Sequence, residues 1–219
     1  VNQFLNYDGG KDRRKDFTMT NIITELRNTV NTHHANIVTA QAEVDKFQRD
    51  WAGYYSPDVF ASKMQEYTAK RDAAINAGNA AIRETVNAFL DEIKQLDALD
   101  GAKLTDDVKL LESPVKLNKN DLENMFDRAK ADNNRTMLEL IMRRDMRDGI
   151  KIERVFYTVK DIEDATRRLE TYAYNSLPGG FLYDMIWSND EKFNTVIPDA
   201  LRDLYGMPKP YRYTTNSNE

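Results

Sequence analysis

The chain has 219 residues, of which 41% are hydrophobic and 31% charged, and its formal net charge is −5 at pH 7. This length suits one large domain or two small ones, and the acidic balance argues against broad binding to nucleic acid or to an anionic membrane surface, which needs clustered cations. The chain has no cysteine, which excludes disulfides, thiolate zinc sites and cysteine nucleophiles, and no run of residues has the apolar length needed to cross a membrane.

The first 18 residues carry alternating charges and precede Met19, which stands directly before a helix start. Arg14-Lys15-Asp16 can be encoded with the purine-rich core AAGGA of a ribosome-binding site, close upstream of the Met19 codon. Val1 in turn suits a GTG codon read as a start. Residues 1–18 are therefore interpreted either as a translated leader or as a disordered arm of mixed charge. Both interpretations exclude them from the fold.

Residues 19–99 are predicted to form two long helices that fold back on each other as an antiparallel hairpin. In the first helix, which we expect to be capped by Thr20 and to end near Gly53, apolar residues recur every seven positions. Ser56 and Pro57 suit the start of the second helix. The residues expected to form the seam between the two helices are Ile23, Val30, Ile37, Val44, Phe47, Trp51, Phe60, Tyr67, Ile82 and Phe89.

Further apolar residues lie beside this seam, namely Ile22, Val38, Val86 and Ile93. A two-helix hairpin has only one seam and buries little apolar surface, so these residues need another surface to cover them. That surface is either the second half of the chain or another copy, and this need is the main reason to predict self-association or a partner. The small residues between Ala73 and Ile82 also permit a neighbouring helix to approach closely.

Residues 100–206 are predicted to form a smaller domain of shorter helices, and residues 207–219 a disordered tail. A firm break is expected at Leu177–Gly180. Residues 150–157, with the sequence IKIERVFY, have β-branched and aromatic content that suits one short strand, although no partner strand is evident. The predicted fold class is therefore mainly all-α, and one short β element is left open.

Catalytic and metal-binding motifs are not evident in the sequence. His33 and His34 are the only histidines, and adjacent helix positions diverge too far to act together as the i,i+4 pair of a metal-binding helix. The heptad pattern places His33 on the seam and His34 toward solvent. Phosphate-binding glycine loops and nucleophile elbows are absent, so we predict no enzyme activity, no cofactor and no metal.

Cationic residues suggest an alternative function as a regulatory or nucleic-acid-binding module. The candidate contacts are Arg143, Arg144, Arg147, Lys209 and Arg212. The C-terminal sequence PKPYRYT mixes cations with tyrosines, a combination that can stack on single-stranded nucleic acid. We favour the competing interpretation that the arginines pair with carboxylates such as Asp145, Asp148 and Asp164. Glu163–Arg167 and Asp164–Arg168 are spaced for such i,i+4 ion pairs.

One stretch resembles segments of phage proteins. The sequence KLNKNDLENMFDRAKADNNRTMLELI, from Lys116 to Ile141, contains the pattern L-x(3)-DL-x(3)-F-x(2)-A followed by N-x-TML. It resembles helix-break-helix segments of small virion-associated and assembly proteins of tailed phages that infect Gram-positive bacteria. The resemblance implies a non-catalytic structural or assembly protein that acts through helix-mediated self-association or partner binding. Its partners are then other copies or other structural proteins, and its location is the cytoplasm or the virion.

Overall fold

The structure, a computed structural model, describes residues 20–97, 99–177 and 182–208. The α-helices of these residues are α1 (Ile22–Trp51), α2 (Pro57–Ile93), α3 (Asp107–Glu112), α4 (Lys119–Ala131), α5 (Arg135–Asp148), α6 (Val159–Ser176), α7 (Asp190–Val196) and α8 (Asp199–Leu204). Short 3-10 turns at Lys94–Asp97 and Gly101–Lys103 follow α2, and a π-helical turn at Tyr183–Trp187 precedes α7. The predicted all-α class, with a long hairpin followed by shorter helices, is confirmed. The proposed leader and the tail from residue 209 lie outside the described residues.

The start of α1 is joined to the end of α2. The Asn21 side chain caps α1 by accepting a hydrogen bond from the Thr24 N–H at 3.2 Å, so the cap lies one residue beyond the predicted Thr20. Thr20 instead donates from its N–H and its hydroxyl to the Glu92 carboxylate, at 2.9 and 2.6 Å. The predicted cap residue therefore ties the two long helices together at the open end of the hairpin.

Tyr205, which follows α8, closes the same corner of the molecule. Its hydroxyl donates to the Thr20 carbonyl at 2.7 Å and accepts from the Ile22 N–H at 3.1 Å. Burial raises the pKa of Tyr205 to about 12, so the hydroxyl keeps its proton at neutral pH and remains a donor. The first and last described segments of the chain are thus held together.

The opposite end of the hairpin is a tight turn between α1 and α2. Gly53 has a φ of 83°, a left-handed conformation that glycine adopts without steric cost. Ser56 occupies the cap position of α2 as predicted, although its side chain makes no capping hydrogen bond, and Pro57 is the first residue of the helix. The predicted helix boundaries at this turn are therefore close to those observed.

The buried apolar residues of the described ranges form two separate cores. The first core combines α1 and α2 with α6, the π-helical turn, α7 and α8, and it includes the flanking residues Ile22, Val86 and Ile93. The second core joins α3, α4 and α5. The packing does not follow the predicted division near residue 100, because the C-terminal helices pack on the hairpin rather than on α3–α5.

Residues 150–157, which were left open as a short β element, form an irregular connection between α5 and α6 and no strand. Their alternating pattern arises because every second residue faces the second core. Side chains satisfy their backbone donors: the Ile152 N–H bonds to Asp145 at 3.1 Å and the Glu153 N–H to Glu123 at 2.8 Å. A segment that lies on helices with alternate side chains partly buried therefore has the same sequence pattern as a β-strand.

The close approach predicted for the small-residue segment of α2 occurs at Gly78. A Cβ atom added there would lie 2.8 Å from Cδ1 of Leu177 and 3.1 Å from Cβ of His33.

We expect Gly78→Val to lower the free energy of unfolding by about 1–3 kcal/mol, because the added methyl groups overpack this junction. Urea denaturation measures the loss. Gly101→Ala is the control, since a Cβ at Gly101 meets no atom within 4 Å, and equal stabilities of the two variants would contradict the prediction.

Candidate functional site

The structure buries the predicted seam unevenly along the hairpin. Seven seam residues are at most 5% exposed, and these are Ile23, Val30, Ile37, Val44, Phe47, Ile82 and Phe89. Phe60 and Tyr67 are only partly buried, and Trp51 is 38% exposed. Burial of the seam therefore declines toward the turn between α1 and α2.

The part of the hairpin nearest the turn projects beyond the first core. The outermost residues of that core are Ile37 in α1 and Ala74 in α2, and no residue between them belongs to it. Residues 38–73, which we call the arm, extend for about 20 Å at the rise of an α-helix. Of the flanking apolar residues only Val38 stays exposed, at 52%. The second half of the chain covers the others, so the uncovered apolar surface of the hairpin lies on the arm.

Six aromatic side chains gather at the end of the arm, and we call this group the aromatic tip. Its members are Phe47, Trp51, Tyr54, Tyr55, Phe60 and Tyr67. Ring centroids of Phe47 and Tyr67 are 4.7 Å apart, and Trp51 meets Tyr54 edge-on at 5.1 Å. Tyr54 is 75% exposed even so. The tip is thus an ordered aromatic cluster with one side open to solvent.

The arm has the chemistry of a protein-binding surface. Tyrosine and tryptophan are enriched in the energetically dominant part of interfaces, because each buries a large area for little loss of conformational freedom. The arm carries five lysines and arginines and six aspartates and glutamates, which gives 5 − 6 = −1. Because the signs are mixed and nearly balanced, two arms can approach without strong repulsion.

The prediction that His34 faces solvent is wrong. His34 is buried, and its ring stacks on Tyr183 with centroids 3.5 Å apart. The heptad pattern describes only the contact with α2, whereas the π-helical turn covers a second face of α1. His33 lies on the α2 side, close to Gly78. Neither histidine belongs to a metal-binding group, because the described residues contain no cluster of three or more His, Asp or Glu side chains placed to hold an ion.

Burial lowers the pKa of His34 from its ordinary value of 6.5, against weaker opposing effects of Asp184 and the Leu177 backbone. The unfolded chain therefore takes up this proton more readily, and folding stability falls as the pH drops below about 6.5. We expect His34→Phe, which keeps the stacking on Tyr183, to lose less unfolding free energy than the wild type between pH 7.5 and 5.5. One histidine contributes at most about 1.4 kcal/mol per pH unit to this slope. Urea unfolding at pH 7.5 and 5.5 measures it, and equal slopes in both proteins would count against the burial of His34.

Arg144, a candidate nucleic-acid contact, is an internal support of the second core. It is 4% exposed, and its guanidinium donates to the carbonyls of Leu111, Ser113 and Val115 at 2.6, 2.8 and 2.7 Å. The Asp148 carboxylate supplies its counter-charge. The break after α3 leaves these carbonyls without helical partners, and Arg144 satisfies them.

The other candidate cations are exposed but paired, or are not described. Arg143 pairs with Glu139 one turn away, and Arg147 pairs with Asp148 at 3.1 Å. The favoured interpretation is thus correct for Asp148, whereas Asp145 accepts a backbone hydrogen bond instead. Lys209 and Arg212 lie outside the described residues. The arginines near α5 therefore do not form an open cationic patch.

Arg167 does not pair with Glu163 as its spacing suggested. It pairs instead with Glu170 at 2.9 Å, and Glu170 also accepts from the Tyr174 hydroxyl at 2.9 Å. Arg167 pairs with Glu170 rather than with Glu163 because Glu170 is buried and already oriented by a second hydrogen bond. All three residues lie on α6, so this arrangement stabilises the C-terminal half of that helix.

None of the helices in the described ranges combines the length and the apolar character that spanning a bilayer requires. The features described above are an aromatic tip on a projecting arm, a buried histidine and a set of paired arginines.

Comparisons of the chain with protein-family models, with curated proteins and with solved structures find no match.

Proposed function

We propose that the protein is a non-catalytic structural or assembly protein that associates with further copies of itself through the arm. We further propose that it acts in the assembly of a tailed phage, in the cytoplasm or the virion. The resemblance of Lys116–Ile141 to phage proteins supports the second statement. The exposed aromatic tip carries the first.

The size of the arm sets the strength expected of such an association. An arm about 20 Å long and two helix diameters wide presents about 400 Å² to a partner. Two arms then bury about 800 Å² in total, which is below the roughly 1,200–2,000 Å² of a stable dimer. The pairing of two isolated copies is therefore weak and reversible. In an assembly, many copies held close together strengthen it through their high effective concentration.

A second copy fits the charge of the arm better than nucleic acid does. The arm has a net charge of −1, and the described arginines near α5 are paired with carboxylates or buried. Binding to a phosphate backbone needs cations that are free to displace counterions. An aromatic surface of mixed charge instead permits the same patch to pair with itself about a two-fold axis.

Static light scattering over a wide range of protein concentration tests this function. The expected molar mass is that of the 25.3 kDa monomer at high dilution and rises steadily with concentration. Added salt should change the rise only modestly, because aromatic contacts rather than ion pairs provide most of the attraction. A strictly monomeric mass at every concentration would contradict the proposal.

A further inference from the structure

A small cleft lies where the two cores meet, and none of the arm residues lines it. Its volume is about 170 Å³. Phe126, which lines the cleft, belongs to the second core, and Met207, which also lines it, packs against the first. An ion pair of 2.8 Å between Lys130 of α4 and Asp203 of α8 crosses beside it. The cleft therefore lies between two separately packed parts of the chain, where ligand sites often form.

Arg202 of α8 is a buried cation that lines the cleft and has one donor without a partner. The residue is 2% exposed. Its Nε and Nη1 donate to the carbonyls of Ile197 and Pro208, at 3.1 and 2.9 Å. Its Nη2 is buried and donates to no atom of the described residues. Because a buried donor without an acceptor is destabilising, Arg202 needs an acceptor that these residues do not supply.

The positive charge of Arg202 is not balanced by a direct contact either. No carboxylate in the described part of the chain lies within ion-pair distance of its guanidinium, and Asp199 influences it from farther away. Burial lowers the pKa of Arg202, and Asp199 only partly opposes this effect. A water molecule can satisfy a neutral donor, but a buried charge is normally paired with an opposite one. We therefore expect the missing acceptor to carry a negative charge.

The other cations of the cleft already have partners. Three cations and two carboxylates line the cleft, which gives a net charge of 3 − 2 = +1, and they are Lys130, Arg154, Arg202, Asp199 and Asp203. Lys130 pairs with Asp203, and Arg154 pairs with Asp127, which lies outside the lining. Among the lining cations, Arg202 is therefore the one that has neither an ion pair nor a full set of hydrogen bonds in the described ranges.

We propose that this cleft binds a small oxyanion, which accepts a hydrogen bond from the Arg202 guanidinium and balances its charge. A guanidinium is suited to this task, because its donors match the spacing of the oxygens of phosphate and carboxylate groups. The cleft volume of about 170 Å³ equals that of roughly five or six water molecules at about 30 Å³ each, which is enough for inorganic phosphate or acetate.

The bound anion joins the two cores. Its cationic neighbours come from α4, from the connection between α5 and α6, and from α8, which are Lys130, Arg154 and Arg202. The anion therefore adds to the contact that the Lys130–Asp203 ion pair makes between α4 and α8. The site is independent of the association of copies through the arm, because the two surfaces share no residue.

Isothermal titration calorimetry of the full chain with inorganic phosphate tests the proposal. Acetate replaces phosphate in a second titration, and sodium chloride keeps the ionic strength constant in both. We expect saturable binding of at least one of the two ions with a dissociation constant in the millimolar range or below. The tighter ion identifies the site as one for phosphate or for carboxylate groups. Saturable binding of neither ion would overturn the proposal.

Lys130→Gln and Asp203→Asn form a pair of variants with opposite expected effects. Both break the same ion pair between α4 and α8, but the first removes a positive charge from the cleft and the second a negative charge. We therefore expect the anion to bind about threefold more weakly to Lys130→Gln and about threefold more tightly to Asp203→Asn. Arg202 is left intact, because its loss would also remove the hydrogen bonds to Ile197 and Pro208.

Lys109→Gln is the matched control, because it breaks an exposed ion pair with Asp106 that does not line the cleft. It should bind the anion as the wild type does. Changes of the same sign in Lys130→Gln and Asp203→Asn would overturn the proposal, since the loss of their ion pair, rather than the charge of the cleft, would then explain the effect.

Discussion

Replacing Trp187 with alanine is expected to lower the free energy of unfolding by about 3–5 kcal/mol. Trp187 is fully buried in the first core, where its ring lies 5.1 Å from that of Phe193. Its indole N–H donates to the Ser176 hydroxyl at 2.7 Å, which joins the π-helical turn to the end of α6. The substitution therefore leaves a large cavity and removes a buried hydrogen bond at once. Urea denaturation followed by circular dichroism measures the loss.

Trp51→Ala is the matched control, because the chain has only two tryptophans and the other one lies at the aromatic tip. Trp51 is partly exposed and belongs to neither core, so its removal should cost less than about 1.5 kcal/mol. Similar losses for the two variants would contradict the division between the part of the hairpin that is packed in the first core and the projecting arm.

Arg144→Met is expected to destabilise the second core by about 3–5 kcal/mol, because each buried acceptor left without a donor costs about 1–3 kcal/mol. Methionine keeps most of the aliphatic stem but removes every donor of the guanidinium. The carbonyls of Ser113 and Val115 then lose their partner, and the Leu111 carbonyl keeps only a 3.3 Å hydrogen bond from Arg147. Hydrogen exchange should show the loss of protection chiefly in α3, α4 and α5, because the first core contains none of these residues.

Arg143→Met tests the same chemical change one residue away. Arg143 is exposed and, among the described residues, pairs only with Glu139 on its own helix, so the expected change is within about 1 kcal/mol. If Arg144→Met were as stable as Arg143→Met, the support that Arg144 gives to the segment after α3 would be refuted.

The hairpin could be predicted from the sequence because the features that specify it act between residues that are close together in the chain. Heptad spacing, a glycine at the turn and Pro57 at a helix start each act within a few residues, and together they place both long helices. The all-α class follows from the same patterns. Small errors at the ends, such as Asn21 in place of Thr20 as cap, reflect competition between adjacent polar residues for one position.

The covering of the hairpin could not be predicted, because it depends on segments far apart in the chain. The heptad pattern alone predicts that His34 faces solvent. It cannot show that Tyr183 of the π-helical turn stacks on the His34 ring. Likewise, the spacing of Arg144 and Asp148 suggests their ion pair, but not the three backbone carbonyls that Arg144 also binds. Tertiary contacts decide these positions, and they also leave the aromatic tip uncovered.

Sedimentation equilibrium tests whether the aromatic tip is the surface through which copies associate. Wild type should reach a weight-average mass well above 25.3 kDa at high concentration, whereas Trp51→Ser/Tyr54→Ser should remain at the monomer mass. Leu104→Ser/Val115→Ser, which alters two exposed apolar residues outside the hairpin, should behave as wild type. Association of Trp51→Ser/Tyr54→Ser as strong as that of wild type would show that copies do not associate through the aromatic tip.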